Sequence, residues 1–403
     1  MHVLGRGVER EGPTARIGSF LARDGSTGTG VSLDVDGPHA GVVVGKRGTG
    51  KSYTLGVLAE ELGEAPGVAP VVLDPMAAFG GLADCPDGSV VEPRIVPASL
   101  PPDAWPELLG LDAGSPAGSL VWRVASDVRE ADGPVSIARM RDALTETRAS
   151  GEARASGEAR ASGDDSTALA AESTAARRAA VNHLALADAW DVFDTEAPTA
   201  AALATGGPTV VDCAGLPPAA LNAVGRAVAS GLYDARIADD LDRLPWLLVD
   251  EAHAFFDGVA APALRTLLTR GRAPGVSLVC ATQRPSALPD VAVSQADLII
   301  AHRLTAERDV DALRAAQPTY LGTDLGASLP TGTGEALIVD DVTEAAHTVR
   351  IRVRRTSHEG GGPSASVLSN RASEEVAGRD DVDGGDDGGD DDEHGDGIGD
   401  DPG

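Results

Sequence analysis

What most constrains this chain is residues 45–52, Gly45-Lys46-Arg47-Gly48-Thr49-Gly50-Lys51-Ser52. The spacing is that of the phosphate-binding loop, which requires a strand in front and a helix behind. Both are present. Ala40-Gly41-Val42-Val43-Val44 reads as a buried strand, and residues from Tyr53 to Leu62 place apolar side chains at helical spacing. Glycines at 45, 48 and 50 permit the turn that aims successive backbone N–H groups at phosphate oxygens. The helix N-terminus adds a partial positive charge. Gly45, Gly48, Thr49, Gly50, Lys51, Ser52 and Tyr53 are thus the expected nucleotide-binding set. Lys51 is expected to reach the β- and γ-phosphates, and the Ser52 hydroxyl to ligate Mg²⁺.

A phosphate loop needs acids, and the chain supplies them at Leu247-Leu248-Val249-Asp250-Glu251-Ala252-His253. Successive strand residues point to opposite sides, so adjacent carboxylates can take different roles. Asp250 is expected on the Mg²⁺ side and Glu251 as general base toward the attacking water. The next strand pattern ends Ala281-Thr282-Gln283-Arg284-Pro285-Ser286. Gln283 carries a neutral amide, able to sense a phosphate or orient a water without repelling either.

Apolar runs at 69–75, 208–213, 276–283, 297–303 and 335–339 alternate with helical stretches, notably 217–240 and 261–272. This alternation predicts an α/β fold with a mainly parallel sheet covered by helices. Residues 348–355 alternate strictly and read as a final edge strand with one arginine face. Residues 1–37 read as an N-terminal edge segment holding a hairpin. The core is then split into 38–80 and 207–358 by an insertion at 81–206. Its helical patterns at 118–132, 135–148 and 165–195 are not broken by a strand signal, so the insertion is expected to be mostly α. A low-complexity linker at 148–163 repeats Arg-Ala-Ser-Gly-Glu-Ala, a unit too small and polar to bury anything. From 359 to 403 Gly, Ser and Asp dominate, and this acidic tail is expected to be disordered.

The net charge is −29, and residues 372–403 hold 14 Asp and Glu against one Arg. Lys46 and Lys51 are the only lysines in the chain. Both lie in the phosphate loop, where a compact ammonium cannot be exchanged for a guanidinium. An acidic, lysine-poor composition resembles that of salt-accumulating haloarchaea, which concerns the host rather than the function. In molar salt the Debye length is about 3 Å, so the negative sum does not exclude nucleic acid as a partner. Cys85, Cys213 and Cys280 lack metal-ligand spacing. No run approaches the ~18 apolar residues of a membrane span, so a soluble, cytoplasmic protein is expected.

The ordered set GKRGTGKS, VVLDP, LLVDEAH, Arg270-Gly271-Arg272, ATQRPS and the closing Arg-Val-Arg-Arg-Thr-Ser-His resembles the HerA–FtsK superfamily, its archaeal HerA-like branch most closely. The resemblance spans roughly residues 38–358. It implies a RecA-like P-loop NTPase using ATP and Mg²⁺, assembled as a homo-hexamer around double-stranded DNA. It also implies an arginine supplied in trans by a neighbouring subunit. Arg272 is the favoured candidate, with Arg270, Arg303, Arg352, Arg354 and Arg355 as others. Two departures stand out. Asp74-Pro75 continues Met76-Ala77, with alanine where the family usually has glutamate. HerA proteins also carry an N-terminal β-barrel that docks the nuclease NurA, and 37 residues are too few to build it, which counts against that partner. Two other functions stay open: a conjugation- or secretion-type ATPase moving protein or DNA–protein complexes, and a nucleotide-gated scaffold that does not hydrolyse.

Overall fold

In a computed structural model, residues 1–6, 11–145, 165–315, 325–340 and 344–358 are described. The expected linker (148–163) and acidic tail (359–403) lie outside them. Twelve strands form one sheet: β1 (His2–Leu4), β2 (Thr14–Leu21), β3 (Thr27–Asp34), β4 (Ala40–Val44), β5 (Val68–Asp74), β6 (Ser89–Val91), β7 (Thr209–Asp212), β8 (Leu244–Val249), β9 (Ser277–Thr282), β10 (Leu298–Ala301), β11 (Glu335–Asp340) and β12 (Ala345–Ile351). Their order is β1-β3-β2-β12-β11-β10-β4-β9-β8-β5-β7-β6. From β10 through β6 every pairing is parallel, as expected for strands joined by helical crossovers.

The central strands are apolar on both faces because both faces are covered. Val42, Val44, Leu247, Val249, Leu278 and Cys280 join one core with the helices Pro218–Ile237 and Ala261–Arg270 and with the inserted helix Pro116–Glu130. Their alternates Val43, Trp246, Leu248, Val279 and Ala281 join a second core with α1 (Lys51–Glu64) and the N-terminal strands. α1 is buried almost all round, from Leu55 to Leu62, and this explains its weak amphipathicity. Among the described residues no helix is long and apolar enough to cross a membrane.

Two sequence expectations need correction. β12 is not an edge strand: it lies between β11 and β2, antiparallel to both. The hairpin β2–β3 pairs onto it, a non-local match that no periodicity in residues 348–355 encodes. The insertion opens with the short strand β6, parallel to β7 and ahead of its α-helices. Its three residues are too short to show a period. The first strand, β1, pairs parallel to β3 at the other edge. The expected arginine face of 348–355 is not a free surface either. Beyond β12 the chain crosses the outer side of α1. There Glu60, its side chain fully buried, takes Arg352 at 2.7 Å, Arg355 at 3.6 Å and Arg354 at 3.7 Å.

Candidate functional site

The phosphate loop leaves the C-terminal end of β4 and enters α1. Gly50 has φ +118, a conformation that only glycine adopts without strain. At Gly45 a Cβ would meet the Cβ of His302 at 2.6 Å and Thr49 Oγ1 at 2.7 Å, so the backbone must be bare there. The loop is tied down from inside and outside. Thr49 Oγ1 donates to the Lys46 carbonyl at 2.7 Å. The Lys46 N–H donates to the Arg303 carbonyl at 2.8 Å, and the Gly334 N–H to the Thr49 carbonyl at 3.1 Å. In α1 the first intrahelical bond runs from the Thr54 N–H to the Gly50 carbonyl. The N–H groups of Lys51, Ser52 and Tyr53 therefore precede the helical ladder, as donors suited to an anion. The Tyr53 side chain turns elsewhere: its hydroxyl accepts from the Arg354 N–H and its ring meets His358.

Beneath the loop lies His302, a residue to which the sequence reading gave no role. It is fully buried. Its Nδ1 is 2.7 Å from the Glu335 carbonyl, which can only accept, so Nδ1 carries the proton. Nε2 then accepts from Thr54 Oγ1 at 2.9 Å. Burial lowers the ring's pKa to about 4, and a neutral imidazole satisfies both bonds. A polar residue finishing the apolar run Leu298-Ile299-Ile300-Ala301 was the available signal.

The acids follow β8. Asp250 is buried, its Oδ2 accepting from Ser52 Oγ at 2.8 Å and its Oδ1 from the Glu251 N–H at 3.0 Å. Burial raises its carboxyl pKa to about 6, with Glu251 adding to the rise and the Ser52 hydroxyl and Lys51 opposing it. Lys51 is buried too, its Nζ 3.5 Å from the Lys46 carbonyl. Burial lowers its pKa, and Glu251 and Asp250 work in the opposite direction. A hydroxyl and a carboxylate held at hydrogen-bond distance are hard oxygen donors of the kind Mg²⁺ prefers.

Glu251 adopts φ 44, ψ 42, left-handed backbone that is costly for a residue with a Cβ. The strain turns the chain from β8 into the short helical turn Ala252–Phe255. Glu251 Oε2 is buried without a hydrogen-bond partner and sits 3.3 Å from His253 Nδ1. Burial raises its pKa against Lys51, Arg284 and Arg47. Gln283 stands just past β9. That strand lies between the loop strand and the acid strand, with Val44 opposite Thr282 and Val249 opposite Cys280. One residue further along, Gln283 is level with Gly45. The structure thus brings Lys51, Ser52, Asp250, Glu251 and Gln283 to one end of the sheet.

Arg272 is not among them. It precedes β9, at the other end of the sheet, pairs with Asp297 at 2.8 Å and stays 54% exposed. Arg354 is only 1% exposed at its side chain, and Arg352 is held by Glu60 and Glu61. Both are engaged by α1 of their own chain.

Residues 15–227, more than half of the chain, match the family model described as the helicase HerA central domain. No curated protein sequence is significantly similar. Among solved structures the chain is similar to VirB4 of Thermoanaerobacter pseudethanolicus, with TM-score 0.59 at 16% identity, covering 85% of this chain and 97% of that one. It is also similar to the bacterial conjugative coupling protein TrwB lacking its N-terminal segment, with TM-score 0.55 at 15% identity over 89% and 98% of the two chains. A TrwB structure in complex with ADP and Mg²⁺ matches with TM-score 0.53 at 16% identity, over 79% of this chain and 86% of that one. At these identities the likeness establishes the RecA-like P-loop fold. With the family model it establishes more: the chain belongs to the HerA central-domain family, among the HerA–FtsK-type P-loop ATPases.

Proposed function

We propose that the chain hydrolyses ATP in the cytoplasm and uses the energy to move along double-stranded DNA, as a ring of six copies. One observation carries the hydrolytic part. Beside the phosphate loop stands a general-base candidate, Glu251, with a buried, unpartnered carboxylate oxygen. A protein that merely bound nucleotide would have no use for that strained and desolvated acid.

The loop N–H groups and Lys51 bind and orient the phosphates. Ser52 and Asp250 would hold Mg²⁺, which would neutralise phosphate charge when bound. Glu251 takes the proton of the attacking water on its carboxylate, and Gln283 orients that water from the tip of β9. Arg272 would act on a neighbouring copy's site after releasing Asp297. TrwB has been captured with ADP and Mg²⁺, which supports this ligand pair. Double-stranded DNA and the ring rest on family membership.

The test is ATP hydrolysis with Mg²⁺ in multimolar KCl, with and without linear duplex DNA. Turnover that rises with DNA is expected. Turnover indifferent to DNA would overturn the DNA substrate in favour of a protein one, and the absence of turnover would leave a nucleotide-gated scaffold.

A further inference from the structure

His253 has no part in the roles above, yet its ring touches the centre of the site. Its Nδ1 is 3.3 Å from Glu251 Oε2 and 3.2 Å from Thr282 Oγ1. Both neighbours are pinned. Thr282 is fully buried in β9 and its Oγ1 already accepts from the Arg284 N–H at 3.0 Å. Glu251 is fixed by its left-handed backbone, and its Oε2 has no hydrogen-bond partner. A buried carboxylate oxygen without a donor is costly, and among the described residues His253 is the side chain recorded at ion-pair distance from it. Burial, and after it Arg284, lower the pKa of the His253 ring against Asp257 and Asp250, which favours the neutral ring.

A neutral ring nitrogen either donates or accepts. With the proton on Nδ1, the ring donates to Glu251 Oε2, since a carboxylate can only accept. With the proton on Nε2, Nδ1 accepts from the Thr282 hydroxyl and turns a lone pair toward Glu251. The contact to Glu251 is long for a hydrogen bond, as catalytic contacts commonly are before the reacting partner binds.

We propose that His253 is the positioning residue of the general base: its Nδ1–H anchors Glu251 Oε2 and leaves the other carboxylate oxygen to take the proton, while Thr282 competes for the same nitrogen. The ring thereby links Glu251 to the tip of β9, where Gln283 and Arg284 lie. A ligand that draws on that tip reaches the base through Thr282 and His253. This rests on the reading of Glu251 as general base.

The test compares His253→Phe, which keeps a ring without the N–H donor, with His253→Gln, which restores a donor. Thr282→Val and Glu251→Gln are run beside them. Steady-state ATP hydrolysis is measured for each, with kcat and KM separated, and each variant is melted. His253→Phe is expected to lower kcat by about 10- to 100-fold, the loss usual when an outer partner of a reacting group is removed, with KM for ATP nearly unchanged. His253→Gln is expected to recover most of that loss, a result that simple packing would not give. Thr282→Val removes the competitor and is expected to raise kcat by about 2- to 10-fold, the equivalent of one net hydrogen bond. Turnover lost in Glu251→Gln but kept in His253→Phe overturns the proposal alone. So does His253→Gln as slow as His253→Phe, or Thr282→Val slowed as much as His253→Phe. Turnover kept in Glu251→Gln overturns the general-base reading and the proposal with it.

Discussion

Replacing Glu60 by leucine should show what holds the phosphate-loop helix in place. Glu60 lies on α1 with a side chain of 0% exposure, against Arg354 at 1%. Its Oε1 accepts from the N–H groups of Arg355 and Thr356, both at 2.9 Å, and from the Thr356 hydroxyl at 2.8 Å. Arg352 reaches Oε2 at 2.7 Å. Glu60→Leu strands the Arg354 guanidinium beside an apolar side chain and leaves those donors without an acceptor. Removing one partner of a buried ion pair costs about 3–5 kcal/mol. For a domain of this size each kcal/mol moves the melting temperature by about 2 °C, so a fall of about 6–10 °C is expected by circular dichroism. Screening by salt should change this little, because the pair is buried. Replacing both partners removes the stranded charge, so Glu60→Leu with Arg354→Met should melt above the single variant. Acid adds a second reading. Burial alone would raise the Glu60 carboxyl, but the donors of Thr356, Arg352 and Arg355 outweigh it and hold its pKa below 4.5. A depressed carboxyl contributes stability that is complete above its unfolded value and is lost as pH falls through the folded one. The single variant should lack that acid-side loss. A melt within about 2 °C of the parent, or a double variant no better than the single, would refute the reasoning.

Two further perturbations probe the loop itself. Gly45→Ala puts a Cβ 2.6 Å from that of His302. Titration calorimetry should show at least about tenfold weaker ATP binding, the equivalent of ~1.4 kcal/mol of strain, with the fold retained by circular dichroism. His302 carries a folded pKa of about 4 against 6.5 when unfolded. Between these values the unfolded chain binds the extra proton, so stability is full above about pH 6.5 and falls by about 3 kcal/mol on the way to pH 4. Denaturant titrations at pH 7 and pH 4.5 should show this slope in the parent and a shallower one in His302→Phe.

The sequence was most legible where chemistry is local. The loop strand 40–44 and the acid strand ending before Asp250 each announce themselves, because a parallel strand covered on both faces is a continuous apolar run. Sheet order is not local, and it is what brings Thr282 and Gln283 between the loop and the acids. Residues 348–355 show the limit: their alternating arginines imitate a solvated edge strand, while the strand itself ends at Ile351 and pairs with β11 and β2 on its two sides. The same arginines look like spare cations until the fold sets Glu60 and Glu61 of α1 opposite them. His253 and His302 were passed over for a related reason. His302 directly follows a strand and His253 sits in the turn after the acids, and their partners Thr54, Glu335 and Thr282 are distant in the chain.

The central claim is that Lys51, Ser52, Asp250 and Glu251 form a hydrolytic site, and the most direct measurement compares ATP binding with ATP turnover in Glu251→Gln. A general base is spent in the transition state and not in binding, so ATP should bind as tightly as to the parent while turnover falls by about 10²- to 10⁴-fold. Turnover close to the parent's, with binding intact, would contradict it.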